Sequence, residues 1–227
     1  MSNFFQSAFG NGMLQEYGSG LLTTLYLVLV CTAFAYAIGI PLGVILCVTD
    51  KDGIRPCAPL NRVLGLIVNI FRSVPFMILL VMVLPLAKIL IGTKVGNTAF
   101  LVPLILAAAP FVARMVESSL KEVDAGVIEA AQAMGSSNWQ IIYKVLLPEA
   151  KPSLILNAAI ATTTILGYSA MSGFVGGEGL GTISINYGFY RYQSDVMLVT
   201  VLLLVVIVQV FQEIGFRIAT KGDKRSR

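Results

Sequence analysis

Long uncharged hydrophobic runs dominate the chain and predict helices that cross a membrane. No Asp, Glu, Lys or Arg occurs in residues 17–49, 95–113, 153–177 or 196–212. Each run has about the length that a helix needs to span a bilayer core, roughly 20 residues. Another hydrophobic run is interrupted by Arg72 and Pro75, and we expect one broken or tilted span there. The pattern predicts an all-α polytopic membrane protein of five transmembrane helices in a single domain over residues 1–227, with spans near residues 19–48, 61–91, 96–117, 152–175 and 195–219.

The positions of lysine and arginine predict how these spans are oriented. Twelve of the 16 basic residues lie in the loop after the first span, in the central loop and in the C-terminal tail. Lys88, Lys94 and Arg191 lie on the opposite side, and Arg72 is set aside as intramembrane. Because cytosolic loops carry the excess of basic residues, the N-terminus is predicted outside and the C-terminus in the cytosol. The net charge of +4 then reflects topology and contact of the tail with membrane lipid, and does not indicate nucleic-acid binding.

Composition disfavours an enzyme or a self-powered pump. The chain is 56% hydrophobic and 12% charged, with a mean hydropathy of +0.83, which is typical of integral membrane proteins. It has no histidine, the commonest general base, proton relay and metal ligand. It also lacks the G-x-x-x-x-G-K-[ST] loop that cradles ATP phosphates, and acidic residues in mid-span. We therefore expect no metal, no cofactor and no catalytic residue in this chain, and an energy source in another subunit.

One amphipathic stretch stands out from the hydrophobic background, residues 129–148, which read EAAQAMGSSNWQIIYKVLLP. Ala130 and Ala131 are small helix formers, and a helix with such a face can lie in a groove on another protein. Gly135 can adopt a positive φ and end that helix, after which Trp139 begins a second one. Pro148 is expected to stop the second helix before the next span. An ordinary amphipathic loop lying on the membrane is the alternative interpretation.

This stretch matches the docking loop of permease subunits in ATP-driven importers. The pattern is Glu-Ala-Ala, three residues, Gly, nine residues, then an aliphatic residue, any residue and Leu-Pro. The matching residues are Glu129, Ala130, Ala131, Gly135, Val145, Leu147 and Pro148. Val145 stands where the family usually has Ile, a mild change between two β-branched side chains.

The chain as a whole resembles the permeases of binding-protein-dependent ABC importers, and more narrowly the methionine importer permeases. The resemblance is carried by the docking loop and by IVNIFRSVPFMILL (67–80), AAPFVARMVESSL (108–120), GYSAMSG (167–173), GGEGLG (176–181) and NYGFYRY (186–192). It implies a type I importer permease fold with a cytosolic ATPase-coupling loop near residues 120–150. It also implies a homodimer in the bacterial inner membrane, two ATP-binding cassette subunits that bind ATP and Mg²⁺, and an external lipoprotein that delivers D- or L-methionine.

Three alternatives stay open at this point. One is an importer for another small amino acid or a similar solute. A second is a self-contained secondary transporter or channel, and a third is a membrane enzyme, which the missing histidine disfavours. Co-purification of an ATPase would separate an importer from the secondary transporter and the enzyme, and a transport assay with competing amino acids would identify the solute.

Two segments are candidates for the permeation path. Arg72 and Pro75 interrupt a hydrophobic run and are predicted to form a hinge or line the path, or else Arg72 reaches the headgroups and Pro75 serves packing. In the resembled family the path follows the dimer axis, so Tyr168, Ser169 and Met171 are predicted to line and gate it. Close packing at the dimer seam is the alternative for these residues.

Two glycine patterns give further expectations. Residues 176–181, GGEGLG, follow a span on the external face and are expected to form a flexible outer loop. They precede no strand–helix unit, so a nucleotide-binding loop is excluded. Gly39 and Gly43 have the small-xxx-small spacing that allows two helices to approach closely.

Overall fold

The computed structural model describes residue 10 and residues 12–222, and every regular element among them is helical. The helices are α1 (Met13–Thr49), α2 (Ala58–Ser73), α3 (Phe76–Ile91), α4 (Asn97–Lys121), α5 (Ala125–Ala133), α6 (Asn138–Ile141), α7 (Leu147–Glu149), α8 (Lys151–Ser169), α9 (Leu180–Ile183) and α10 (Ser194–Gly222). Shorter turns are a 3₁₀ turn at Ser172–Val175 and π turns at Ile142–Leu146 and Ser184–Phe189. The basic tail residues Lys224, Arg225 and Arg227 lie outside the described residues.

Three helices in the described chain are long and apolar enough to cross a membrane: α1, α4 and α10. The pair α2 and α3 qualifies as a fourth when it is counted as one bent span. Helix α8 has 19 residues, but Lys151, Asn157 and a run of three threonines dilute its hydropathy. The all-α membrane class is thus confirmed, while the count of five spans stays a prediction.

The break that the sequence predicts at Pro75 is present. Val74 and Pro75 have extended backbone, with ψ of 125° and 134°, so α2 ends at Ser73 and α3 begins at Phe76. A proline restricts the preceding residue to extended conformations, which ends α2, and its fixed φ suits the start of a helix. The hydrophobic run is therefore two helices.

Contacts divide the chain into two compact units. Of the described residues, unit 1 comprises residue 10 and residues 12–33, 75–106 and 162–211, and unit 2 comprises residues 34–74, 107–161 and 212–222. The core of unit 1 includes a cluster of Val28, Leu166, Leu180 and Ile207. The expectation of one domain over the whole chain stays a prediction.

Unit 2 is organised around close packing of α1 on α4. A Cβ added to Gly39 would lie 2.6 Å from Val112 Cγ1, and one added to Gly43 would lie 2.6 Å from the carbonyl oxygen of Ala113. No side chain fits at that separation, so the two helices touch through the glycines. The predicted small-xxx-small packing at Gly39 and Gly43 is confirmed.

Candidate functional site

The segment that carries the Glu-Ala-Ala motif is built from α5, α6, α7 and the turns between them, and we call it the docking segment. Its first helix begins at a regular N-cap, where Asp124 Oδ1 accepts a hydrogen bond from the Gly126 N–H at 2.7 Å. Such a cap satisfies one of the free N–H groups at a helix start and typically contributes about 1 kcal/mol. The start of α5 is therefore set by its own sequence.

Gly135 ends α5 as the sequence predicts. Its φ is 76°, in the left-handed region that favours glycine. The Gly135 N–H donates to the carbonyl of Gln132 at 2.9 Å, and the Ser136 N–H donates to the carbonyl of Ala131 at 3.1 Å. This pair of bonds is a Schellman motif, which satisfies carbonyls at the end of the helix.

The second helical part of the docking segment begins at a capping box. The Ser137 N–H donates to Gln140 Oε1 at 2.8 Å, and Ser137 Oγ accepts from the Gln140 N–H at 3.4 Å. Because α5 and α6 each have their own caps, the reversal between them is fixed locally.

Pro148 does not stop this helix, so that expectation is wrong. It lies inside α7, and only Ala150, still right-handed at φ −77°, separates α7 from α8. The preceding π turn makes this possible, since the Leu147 N–H donates back to the carbonyl of Ile142. A π turn widens the helix by one residue, and proline is tolerated in a first helical turn, where an N–H needs no partner.

The docking segment presents a mixed surface. Glu129 and Ala130 are exposed, while Ala131 is buried. Val145 and Leu147 are partly buried, and Pro148 is exposed. The motif thus splits into residues that hold the segment together and residues that face outward.

Three large side chains that the motif does not include protrude furthest from this surface. Met134, Trp139 and Tyr143 are 79%, 77% and 74% exposed. Met134 and Gly135 also line a cleft of about 310 Å³ between α5 and the following helix. The sequence did carry a signal for two of them, since Trp139 and Tyr143 are four residues apart and share a helix face.

Beneath the docking segment, charged side chains join the ends of α1 and α4. Glu117 accepts from Arg114 Nη1 at 2.6 Å and from Lys121 Nζ at 2.8 Å. Lys121 also pairs with Asp50, at 2.5 Å between Nζ and Oδ2. A cavity of about 320 Å³ lies beside this network and is lined by residues of the α1–α2 loop and of α5, Ala125 and Ile128 among them. The i,i+3 and i,i+4 spacing of Arg114, Glu117 and Lys121 is a local signal for part of this network, whereas no local pattern indicates Asp50.

The ion pair changes the acidity of Asp50. The hydrogen bond from Lys121, and then the bond from the Lys51 N–H, lower the pKa of this carboxyl below its ordinary value. The carboxylate is therefore charged at neutral pH.

The residues predicted for the permeation path have different environments. Ser169 is buried, and its hydroxyl donates to the carbonyl of Leu166 at 2.7 Å, within unit 1. The ring of Tyr168 stacks on Phe76, with centroids 4.7 Å apart and planes 17° apart. Met171 is partly buried at the start of the 3₁₀ turn.

The stacking on Phe76 places Tyr168 next to the proline break, because Phe76 directly follows Pro75. Pro75 is exposed and precedes the first turn of α3. Arg72 is exposed on the last turn of α2.

The GGEGLG segment is tied down by hydrogen bonds, so the expected flexibility is wrong, while its place on the external side stays a prediction. Asn97 Oδ1 accepts from the Glu178 N–H at 2.7 Å, and Thr24 Oγ1 accepts from the Leu180 N–H at 3.0 Å. The Ser172 hydroxyl donates to the carbonyl of Glu178 at 3.0 Å. The backbone groups that a loop would expose to water are therefore bonded to protein.

Comparison with known proteins decides the family. The model of the "binding-protein-dependent transport system inner membrane component" family matches residues 39–217, most of this chain. The chain belongs to this family. It is accordingly a multi-pass component of a membrane transport system, and the resemblance found in its motifs is confirmed.

Individual relatives agree with the family model. A Vibrio cholerae protein named "probable D-methionine transport system permease protein" is 52% identical over 202 residues, which are 89% of this chain and 90% of that protein. A Pasteurella multocida protein of the same name is 42% identical, with coverages of 92% and 96%. A solved chain of the "MetNI methionine ABC transporter", described as inward facing, is 44% identical.

That solved chain superimposes with a TM-score of 0.93 over 95% of this chain and all of its own length. The type I importer permease fold is therefore shown for this family member. An "amino acid ABC transporter" with 19% identity and a TM-score of 0.72 has the same fold. The roles of the docking and path residues are not tested by these likenesses and stay predictions.

Proposed function

We propose that this chain is the membrane permease subunit of an ATP-driven importer that takes up methionine. Relatives 52% and 42% identical over nearly the whole chain are named as D-methionine permeases, and the 44% identical solved chain belongs to a methionine transporter. The docking segment supports the proposal independently of those names, because it presents a doubly capped, outward-facing pair of short helices.

The proposed assembly is a homodimer of this chain with two ATPase subunits and an external substrate-binding lipoprotein. ATP and Mg²⁺ bind to the ATPase, and this chain has no catalytic role. The N-terminus lies outside and the C-terminus in the cytosol of a bacterial cell, which puts the docking segment on the side of ATP. Movement of the ATPase groove around Glu129 and Ala130 is transmitted through Pro148 to α8, and access to the path alternates.

The path itself is proposed to run along the dimer axis. Tyr168, Met171, Arg72 and Pro75 are its candidate lining and gate. The stacking of Tyr168 on Phe76 supports a coupled movement of these segments, since a shift of the break at Pro75 would carry the tyrosine ring with it.

A glycine substitution tests the coupling role. Gly135→Val forces a β-branched residue into a left-handed turn, which strains the reversal between α5 and α6. We expect normal amounts of permease in the membrane but reduced co-purification of the ATPase and reduced methionine uptake by the reconstituted complex.

Gly92→Val is the matched control. Gly92 also has a left-handed φ, 87°, and open space around its Cβ position, but it ends α3, outside the docking segment. The control should lose a similar amount of stability and keep the ATPase. Equal loss of ATPase from both variants would contradict the coupling role, and uptake of another amino acid but not methionine would contradict the substrate.

A further inference from the structure

Helix α2 has a polar face that its neighbours leave partly uncovered. Arg62, Asn69 and Arg72 follow one another at spacings of seven and three residues, which places them on one side of a helix. All three are exposed. The opposite side carries exposed apolar residues, among them Val63 at 56% and Ile67 at 46%. Lipid can cover the apolar side, but the polar side requires water, protein or a polar ligand.

Arg114 of α4 covers part of the polar face and occupies two acceptors of α2. Its Nη2 donates to the carbonyl of Gly65 at 3.3 Å and to Asn69 Oδ1 at 3.0 Å, while Nη1 pairs with Glu117. The amide oxygen of Asn69 is thus occupied by a donor. Its NH₂ group, which can only donate, has no acceptor among the described residues.

Arg72 is the second group with unused donors. No carboxylate of the described residues forms an ion pair with it, and it accounts for none of the side-chain hydrogen bonds found there. A guanidinium has five N–H donors and always carries its charge. Within a membrane domain such a charge requires an anion or water, because an unpaired charge is costly to desolvate.

We propose that Asn69 and Arg72 form a binding site for the carboxylate of the transported amino acid. The two residues are one helical turn apart, and both present donors on the same face. Arginine binds a carboxylate through two parallel N–H···O bonds, and the Asn69 amide can add a third bond to one of its oxygens. The site rests on the proposed function for the identity of its ligand.

A lipid phosphate offers the same chemistry as a substrate carboxylate. Arg72 is 14 residues beyond the start of α2 at Ala58, about 21 Å along the helix axis. Arg62 is near that start, where a headgroup at the cytosolic side would be reached most easily. The position of Arg72 far from the helix start favours the substrate.

The experiment uses Ser73 as a reporter. Ser73 is exposed, neighbours Arg72, and uses its hydroxyl only for a bond to the backbone carbonyl of Asn69. Ser73→Cys is made in a chain whose native cysteines, Cys31, Cys47 and Cys57, are replaced, and the whole complex with its ATPase is placed in lipid nanodiscs. The rate of reaction with an anionic methanethiosulfonate is measured with and without methionine, and with methioninol, which lacks the carboxylate.

We expect methionine to slow the reaction and methioninol to leave it unchanged. Arg72→Gln should weaken protection by methionine at least about tenfold in concentration, since a charge-assisted bond is lost. Arg62→Gln removes the same charge from the same face and should retain protection. Ile67→Cys, on the apolar face, should not react. Methionine uptake by the Ser73→Cys complex shows that the reporter itself is folded and active.

Three results would overturn the site. One is that the complex takes up methionine but methionine does not slow the reaction of the Ser73→Cys thiol. That result contradicts the site and leaves the proposed function intact. Another is protection that survives Arg72→Gln. The third is a cysteine that is unreactive in nanodiscs and reactive in detergent whatever the methionine concentration, which identifies lipid phosphate as the occupant. If the wild-type complex does not transport methionine but another amino acid protects the cysteine, the carboxylate site stands and the proposed substrate is wrong.

Discussion

Glu117→Gln should destabilise the chain far more than an ordinary loss of surface charge. The Glu117 side chain is 8% exposed and holds two cations at once, Arg114 at 2.6 Å and Lys121 at 2.8 Å. The glutamine keeps the shape and one acceptor oxygen but removes the negative charge between them. Two neighbouring cations then lose their shared counter-ion, and one of them loses its hydrogen bond.

The expected magnitude follows from the exposure of the partners. Removing one partner of a fully buried pair costs roughly 3–5 kcal/mol. Arg114 and Lys121 are 24% and 45% exposed, and Lys121 keeps its second partner, Asp50. Water and Asp50 therefore offset part of the loss, and we expect about 2 kcal/mol in the free energy of unfolding. For a chain of this size that corresponds to a fall of about 4–8 °C in the thermal midpoint.

Glu213→Gln provides the matched control for this measurement. Glu213 pairs with Arg217 four residues later on α10, but the two side chains are 57% and 72% exposed. Such a helical surface pair contributes about 0.3–0.5 kcal/mol, so the midpoint should move by only a degree or two. Both variants are unfolded by heat in the same detergent at the same ionic strength. Similar shifts for the two would refute the reasoning, because burial would then make no difference to the value of the carboxylate.

Two further predictions concern unit 2. Gly43→Ala should lower the free energy of unfolding by the cost of overpacking, about 1–3 kcal/mol, because the added Cβ would meet the Ala113 backbone. Gly18→Ala has open space at its Cβ position and should be neutral or slightly stabilising. Equal shifts in the thermal midpoint of the two variants would disprove the α1–α4 contact. Asp50→Asn should reduce stability at pH 7 by at most about 1 kcal/mol. This difference should shrink as the pH falls through the ordinary carboxyl range and vanish below the lowered pKa of Asp50, because a carboxyl whose pKa is lowered by folding contributes only while it is ionised. Asp52→Asn, whose side chain is 84% exposed, should show little difference at either pH, and a gap for Asp50→Asn that does not change with pH would count against the ion pair.

The features that could be predicted from the sequence are those set by one residue type and its immediate neighbours in the chain. The turn at Gly135, the break at Pro75 and the close approach at Gly43 each follow from the conformational limits of one residue type. The Asp50–Lys121 pair is different, since 71 positions separate its members and no local pattern joins them. Its existence depends on the packing of α1 on α4, which the glycine spacing suggests without fixing the register.

The two wrong expectations have a common physical cause. The expectations for Pro148 and the GGEGLG segment both rest on local rules, in which proline ends a helix and glycine loosens a loop. In both places hydrogen bonds that these rules do not consider decide the conformation. At Pro148 a π turn precedes the proline, with the Leu147 N–H bonded five residues back to the Ile142 carbonyl, and right-handed backbone continues through it. In the glycine segment the partners are side chains, Asn97 and Thr24, provided by α4 and α1.

Those two side chains show how such an error could be avoided in related chains. Asn97 begins a hydrophobic helix and Thr24 lies within one, so by sequence each looks like an ordinary polar residue at or near a membrane surface. Their oxygens are nevertheless the acceptors that let irregular backbone stay close to buried helices. Wherever a glycine-rich stretch follows a span, an isolated Asn or Thr in another apolar helix is the residue to examine first. If it bonds the stretch, the glycines are there to permit close contact, as at Gly177, where a Cβ would lie 2.7 Å from Asn97 Oδ1, and the segment is a fixed part of the fold.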